Sequence, residues 1–313
     1  MRFGWMLGWL VAAQVMTAQA GCLSGDLLPS GWRQNPHAGQ VAIPAGKVVL
    51  GTDQGYADER PGDPLPVAAF WIDRTEVTNA QFDAFVRATG YVTDAERQGG
   101  AAVFQVPSSR ELQSRPLAWW RFVRGANWRH PEGPGSTLAN RQRYPVVLVT
   151  QADALAYARW LGRDLPTEAE WEYAAKAGQQ GPQLDAAPRD AQGRPTANYW
   201  QGSFPVLDLA EDGHAGLAPV GCYAPNAYGL YDAIGNAWEW TRDLYGGPHQ
   251  SHANGDPALL KPAPIPAKAR VVIKGGSYLC SPDYCVRYRA AARESQEPDM
   301  PTSHVGFRTV SRS

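Results

Sequence analysis

The chain has 313 residues, with 29 Lys+Arg against 30 Asp+Glu for a formal net charge of -1, and it is 44% hydrophobic and 19% charged. That composition is the composition of a globular protein, and with no basic stripe or long charge run it offers no hold for nucleic acid or an acidic membrane surface. Gly 32 and Pro 26 predict few long elements and much ordered loop, leaving the 12 Trp to supply a large part of the core. A core so rich in loop needs its backbone polar groups satisfied, and bound metal ions are one means of doing so.

In chain order, Met1-Arg2 gives a positive charge, Phe3 to Val15 is mostly apolar, and Ala18-Gln19-Ala20 is a small-x-small cleavage site. Residues 1–20 therefore read as a secretory signal. The apolar run is short for a bilayer of ~30 Å, which sets it against an uncleaved anchor helix. Gly21-Cys22 also hints at a lipid-attachment cysteine, although Gln19 stands where a large aliphatic residue is normal. Export is expected, and without an Asn-x-Ser/Thr sequon the bacterial periplasm is favoured over a eukaryotic secretory lumen. Any membrane association would come through this N-terminus alone.

Residues 21–40 are polar and read as a flexible lead-in; a single domain is expected over 41–313. From "VAIPAGKVVLGTD" (41–53) the pattern is β-like. Thr78 opens a helix whose Phe82, Phe85 and Val86 make one apolar face, ended by Gly90. Residues 97–135 read as irregular. A second helix is expected from Thr150 to Gly162, with Asp153 near its N-terminus. In "LPTEAEWEYAAKAG", Thr167 and Glu170 fit a capping box, Trp171, Ala174 and Ala175 the buried face, and Gly178 the stop. Beyond 179 the pattern is short β-like runs between loops.

The chain has four cysteines, Cys22, Cys222, Cys280 and Cys285. Cys22 lies at the cleavage site and Cys222 has no obvious partner, so Cys280 and Cys285 are the matched pair. "RVVIKGGSYLC" (270–280) and "YCVRYRAAA" (284–292) carry β-formers around Ser281-Pro282-Asp283, which suits a type I turn. A hairpin with its loop at 281–284 would make the two cysteines cross-strand partners, with Cβ atoms ~4.5–5.5 Å apart. That spacing suits a disulfide and equally a soft ion such as Cu(I) held by two thiolates. A structural zinc would want four ligands, and no second pair supplies them.

The residues around the pair resolve the choice by resemblance. "KGGSYLCSPDYCVRYRAAARES" and "HVGFRTV", together with "GLYDAIGNAWEWTRD", "RDLPTEAEWEYAAKAG", "NYWQGSFP" and "GANWRHPEGP", resemble the signatures of the formylglycine-generating (sulfatase-modifying factor) enzymes. The likeness runs from about Val41 to Arg308. It implies an irregular, loop-rich α+β fold, related to C-type lectins and low in regular secondary structure.

It also implies an oxidase that converts a cysteine in a Cys-x-Pro-x-Arg segment of unfolded sulfatases to Cα-formylglycine, acting as a monomer. By that resemblance Cys280 and Cys285 hold Cu(I), O₂ is the co-substrate, Ser277 tunes the site through hydrogen bonding, and Tyr284 and Trp238 line it. Two structural Ca²⁺ sites carry over in the same way. One comprises the Asn198 and Asp212 side chains with the carbonyls of Tyr199 and His214. The other comprises Asp232 and Glu239 with the carbonyls of Gly235 and Ala237.

The sequence departs from the family pattern in places. Vertebrate members have scaffold cysteines where Ala158, Ala175, Ala290 and Thr309 stand, and Leu148, Gln151 and His304 replace residues frequent in relatives. The alternatives are a lectin-like, calcium-stabilised binding module with a Cys280–Cys285 disulfide, and an oxidase of the same superfamily acting on another exported peptide or a small molecule.

Overall fold

The computed structural model describes residues 22–246, 249 and 269–312, so the expected signal segment lies outside the described residues. Among those residues no helix is long and apolar enough to cross a membrane.

Helices form here where a Ser or Thr is followed three residues on by an acid or Gln. Thr78, Thr93, Ser108, Thr150 and Thr167 each accept from the N3 amide while the N3 side chain returns to the cap's own N–H. The reciprocal pair satisfies two donors that a helix start leaves open. The helices so begun are α1 (Asn79–Thr89), α2 (Asp94–Gln98), α3 (Ser109–Ser114), α4 (Gln151–Trp160) and α5 (Glu168–Lys176). Helix α1 ends on left-handed Gly90, as expected. Helix α4 ends on Leu161 with Gly162 one residue beyond, and α5 ends on Ala177, itself left-handed, one residue before the expected Gly178.

The strands are short. β1 (Gln40–Ile43), β4 (Phe70–Asp73) and β11 (Val310–Arg312) form one sheet, and β2 (Gly46–Val49) pairs with β3 (Pro64–Val67). A four-stranded sheet has the order β10-β7-β8-β9, made of Val305–Gly306, Trp238–Leu244, Val271–Lys274 and Arg293–Gln296. Residues 97–135, expected to be irregular, instead contain β5 (Gly100–Phe104), α3 and β6 (Trp120–Arg124), with β5 and β6 antiparallel in the register Gly100↔Arg124 to Phe104↔Trp120. Ala101 and Val103 turn inward on alternate positions, a period of two that the surrounding Trp and Arg obscure in the sequence.

The core lies between α1, α4 and the four-stranded sheet. Phe82 meets Trp128 and Phe307 edge-on and stacks on Tyr157, and the same cluster takes in Trp238, Trp240 and Cys280. Beside it runs a layer of buried ion pairs: Arg163–Asp73 at 2.8 Å, Lys274–Glu172 at 2.7 Å and Arg289–Glu59 at 2.6 Å. Each is costly to break, because removing one partner leaves the other charge buried and alone.

The N-terminal stretch does not have the character of a free lead-in. The Leu23 amide donates to Gly221 O (3.1 Å), the Arg163 guanidinium reaches the carbonyls of Pro36 and Ala38 (both 2.8 Å), and Trp32 packs against Trp160. Cys222, which the sequence left without a partner, forms a disulfide with Cys22 across 200 positions.

Candidate functional site

The chain leaves β8 through Gly275 and Gly276, at φ +98° and +78°. A Cβ at 276 would stand 2.5 Å from the Arg287 carbonyl, so only glycine lets the outgoing and returning chains approach this closely here. This corrects the expected tight hairpin. β8 and β9 do pair, from Val271↔Gln296 to Lys274↔Arg293, but residues 275–292 form one long connection and the cysteines lie within it. Ser281 and Cys285 exchange both backbone hydrogen bonds at 3.0 Å, and Ser281 Oγ donates to Asp283 (2.6 Å) while accepting from the Tyr284 amide (3.1 Å). The turn brings Cys280 Sγ to 3.6 Å from Cys285 Sγ, and the two are not bonded.

The two thiols sit in unlike surroundings. Burial pushes Cys280 well above the usual thiol range, and Cys285 is lowered, first by the hydrogen bond from Cys280 and then by the Arg287 amide and guanidinium. Of the two, Cys285 is therefore the more readily deprotonated, and Cys280 the one that keeps its proton longer. Arg287 is fixed for this task by Asp58 at 3.1 Å and by lying 4.3 Å over the Tyr56 ring. Ser277 does contact the pair, through its backbone: its N–H donates to Cys280 Sγ (3.4 Å), while its hydroxyl accepts from the Leu279 amide (3.2 Å).

Tyr284 is 50% exposed, stacked on Phe204 at 4.5 Å and met edge-on by Trp119 at 5.3 Å. The Phe204 amide donates to Asp283 (3.2 Å), which ties this aromatic rim to the cysteine turn. Trp238 is buried in the cluster that holds Cys280, and its N–H donates to His304 O. The Trp200 amide donates to Cys280 O (2.9 Å), and Trp200, Tyr278, Phe104 and Trp128 are among the walls of a cavity of about 450 Å³. The dithiol thus adjoins a largely apolar cavity through Trp200 and Tyr278.

The second predicted carboxylate set comes together around Arg308. Both Glu239 oxygens accept from its guanidinium (2.6 and 2.7 Å), and Trp171 Nε1 adds a third bond at 2.6 Å. Asp232, left-handed at φ +50°, accepts from the Gly221 amide (2.5 Å). Gly235 and Ala237 lie on the turn between them.

Sequence reasoning missed a third acid. Glu76 is fully buried, with Oε1 accepting from Asn236 (2.9 Å) and Oε2 without a partner. Burial and the neighbouring carboxylates raise Glu76 well above its usual range and Asp232 to about 6. Its only sequence signal is one acid in "RTEVTN" between a charged turn and a helix cap, which reads like any surface acid.

Of the first set, Asp212, Tyr199 and His214 are brought together. Asp212 accepts from the Tyr199 amide (3.2 Å), Gln201 Nε2 (2.8 Å) and the His214 amide (2.9 Å), and the same Gln201 nitrogen donates to the Tyr199 carbonyl. Asn198 turns its Nδ2 to Gly216 O (2.9 Å) and Asn236 Oδ1 (3.0 Å), so Asn236 joins the two sets.

A loop-built α+β scaffold that presents an unbonded dithiol in unlike surroundings beside an aromatic rim has the architecture of a cysteine-pair enzyme. Residues 27–313 match the family described as sulfatase-modifying factor enzyme 1-like domain. The chain is 47% identical over 283 residues to the formylglycine-generating enzyme of Streptomyces coelicolor, covering 86% of this chain and 88% of that protein. It is 44% identical over 288 residues to the formylglycine-generating enzyme of Bos taurus, covering 89% and 76%. Among solved structures it is similar to PvdO from Pseudomonas aeruginosa, at 28% identity and TM-score 0.61 over 87% of this chain and 93% of that one. The chain belongs to the formylglycine-generating, or sulfatase-modifying factor, enzyme family.

Proposed function

We infer that this enzyme converts the cysteine of a Cys-x-Pro-x-Arg segment in an unfolded, exported sulfatase to Cα-formylglycine, with Cu(I) held by Cys280 and Cys285 and O₂ as co-substrate. The observation that carries the reading is the 3.6 Å separation of two unbonded sulfurs. It is longer than a disulfide bond of ~2.05 Å, and two soft donors side by side favour a soft cation. Bound there, Cu(I) would supply the oxygen activation that no side chain provides.

The protein's part is to place and tune the sulfurs. Cys280, the Arg287 amide and the Arg287 charge all favour the Cys285 thiolate, while burial holds the proton on Cys280, so Cys285 is the sulfur readier to take up a soft cation. The Ser277 N–H steadies Cys280 Sγ. Tyr284, Phe204 and Trp119 offer flat apolar faces to an extended peptide at the mouth of the site.

The two oxygen-rich sets fit Ca²⁺ as a structural ion. Glu76, Asp232 and Glu239 face the single guanidinium of Arg308, and Glu76 Oε2 is an orphaned acceptor, as expected where a dication completes the charge balance. In the first set the Gln201 amide bridges Asp212 and the Tyr199 carbonyl, two oxygens a cation would draw together in the same way. Export accords with the Cys22–Cys222 disulfide, since such bonds persist in oxidising compartments.

The test is direct. Purified protein given Cu(I), O₂ and a Cys-x-Pro-x-Arg peptide is expected to give the aldehyde by mass spectrometry, and Cys280→Ser or Cys285→Ser to abolish it. An undiminished yield from either variant rules the mechanism out. Copper loading without turnover of this peptide would instead select an oxidase for another exported peptide or a small molecule. A binding module stapled by a Cys280–Cys285 disulfide lacks its staple, because those sulfurs are unbonded.

A further inference from the structure

Two stretches far apart in sequence meet at Cys22, one at the start of the described chain and one over residues 212–222. Cys22 opens the described chain, Cys222 lies on the turn after Val220, and His214 lies on the loop that begins at Asp212. The two sulfurs and one imidazole nitrogen all lie within 4.8 Å of one another. The sulfurs are bonded to each other. Tyr223 flanks the imidazole, ring centroids 6.4 Å apart. The calcium reading uses the His214 carbonyl only, and its ring takes no part in the chemistry at Cys280 and Cys285. All three residues are part-exposed, so an ion can reach them.

We propose that Cys22, Cys222 and His214 form a second, redox-gated metal site, closed as the disulfide and open to a d¹⁰ cation, Cu(I) or Zn²⁺, as the dithiol. Two thiolates and an imidazole are the donor set those ions share, and three protein ligands leave one position for water or an exogenous ligand. The balance is simple. A small dithiol gives up two hydrogens and closes to its own disulfide, or a phosphine with one water becomes the phosphine oxide; either way the S–S bond breaks and two thiols form. Metal entry then displaces both thiol protons.

Geometry supports the opening. Leu23 bonds to Gly221 through its backbone, and Arg163 holds Pro36 and Ala38, so the segment that follows Cys22 keeps its anchors when the S–S bond is cut. The reduced sulfurs then stay beside His214 instead of drifting apart. The proposal does not depend on the role of Cys280 and Cys285.

The experiment uses the full chain in the Cys280→Ser/Cys285→Ser background, which removes the other soft site. It is titrated with Co²⁺ as the spectroscopic stand-in for Zn²⁺, and with Cu(I) against a competing chelator, before and after phosphine reduction. The expected result is no bound ion in the oxidised form and one equivalent in the reduced form, with thiolate-to-Co²⁺ charge-transfer absorption. His214→Ala weakens binding at least about tenfold, since even an outer partner of a ligand is worth ~10–100-fold, and Cys22→Ser abolishes it.

In the wild-type chain reduction adds one equivalent, a readout that survives if the double variant folds poorly. Absence of any reduction-dependent equivalent overturns the proposal. So does binding indifferent to both His214→Ala and Cys22→Ser. A Co²⁺ signal without Cu(I) uptake, or the reverse, assigns the ion.

Discussion

Cys280 Sγ lies 3.6 Å from Cys285 Sγ, and the pair is asymmetric: Cys280 is buried among aromatic side chains, while Cys285 has the Arg287 amide and guanidinium beside it. A buried thiol resists losing its proton, and a sulfur accepting that proton's hydrogen bond is held as the anion. Cys285 is therefore the easier of the pair to ionise in metal-free protein.

Alkylation should expose the asymmetry. In metal-free, non-reduced protein, limited iodoacetamide is expected to label Cys285 ahead of Cys280, with a midpoint in pH below that of an ordinary thiol. Cys280→Ala removes the largest cause of the depression, so Cys285 should then react more slowly at neutral pH, its midpoint moved up toward the usual range. Mass spectrometry of the labelled peptides reads both. A Cys285 midpoint unmoved by Cys280→Ala would mean that the Arg287 contacts alone set it.

Gly276 is where the scaffold is least forgiving. Alanine there meets the Arg287 carbonyl at 2.5 Å on a backbone at φ +78°. Left-handed strain costs of order 1–3 kcal/mol and the clash adds to it. Gly276→Ala is expected to lower Tm by roughly 5 °C or more and to separate the sulfurs, read as loss of the fast-alkylating thiol. Unchanged melting and unchanged alkylation together would refute the close-approach argument.

Tyr284 stacks on Phe204 yet is half exposed, so truncating it should affect binding more than folding. An aromatic contact is worth about 0.5–1.5 kcal/mol, which at its upper end is about tenfold in affinity. Tyr284→Ala is expected to raise KM for the Cys-x-Pro-x-Arg peptide by up to about tenfold with kcat nearly unchanged. A fall in kcat at constant KM would move Tyr284 from peptide binding into the chemistry.

What the sequence reveals is mostly local. Helices α1 and α5 are legible because cap, apolar period and stop lie within a dozen residues, and Thr78 with Gln81 or Thr167 with Glu170 needs no distant partner. The proximity of Cys280 and Cys285 was legible as well, but for a mistaken reason. β-formers on both sides suggested a tight hairpin, whereas Gly275 and Gly276 end β8 early and a Ser281–Cys285 turn does the joining. The Cys22–Cys222 bond and the Glu76–Asp232–Glu239 cluster are long-range events. Nothing within a window around Cys222 or Glu76 distinguishes a bonded or cation-facing residue from a surface one.

That buried cluster makes stability depend on pH in a direction opposite to most proteins. Asp232 is raised to about 6 from 3.8 and Glu76 well above its usual range, and outside the cluster Asp243, buried beside Glu168, is also raised to about 6. A carboxyl whose folded pKa is raised holds its proton more tightly in the folded state, so the calcium-free fold loses stability as pH climbs from about 4 to 6 and stays lower above that. A shift of about two units corresponds to roughly 3 kcal/mol at most for one group.

Glu168, lowered to about 2, works in the other sense, but its contribution is already complete above its unfolded pKa of 4.5. Burial also lowers His304 to about 3, so its share of stability grows as pH rises toward 6.5 and offsets part of the change. Between pH 5 and 7.5 the raised acids, being several, decide the sign. EDTA-treated protein should melt higher at pH 5 than at pH 7.5. Calcium should reverse the order by binding the ionised carboxylates, adding about 3 kcal/mol at 100 times its Kd. Glu76→Gln should flatten part of the pH dependence in EDTA and remove part of the calcium gain, as followed by calorimetry. If EDTA-treated protein is instead steadily more stable from pH 5 to 7.5, Glu76 and Asp232 are not ionising against one another and the second calcium assignment fails with them.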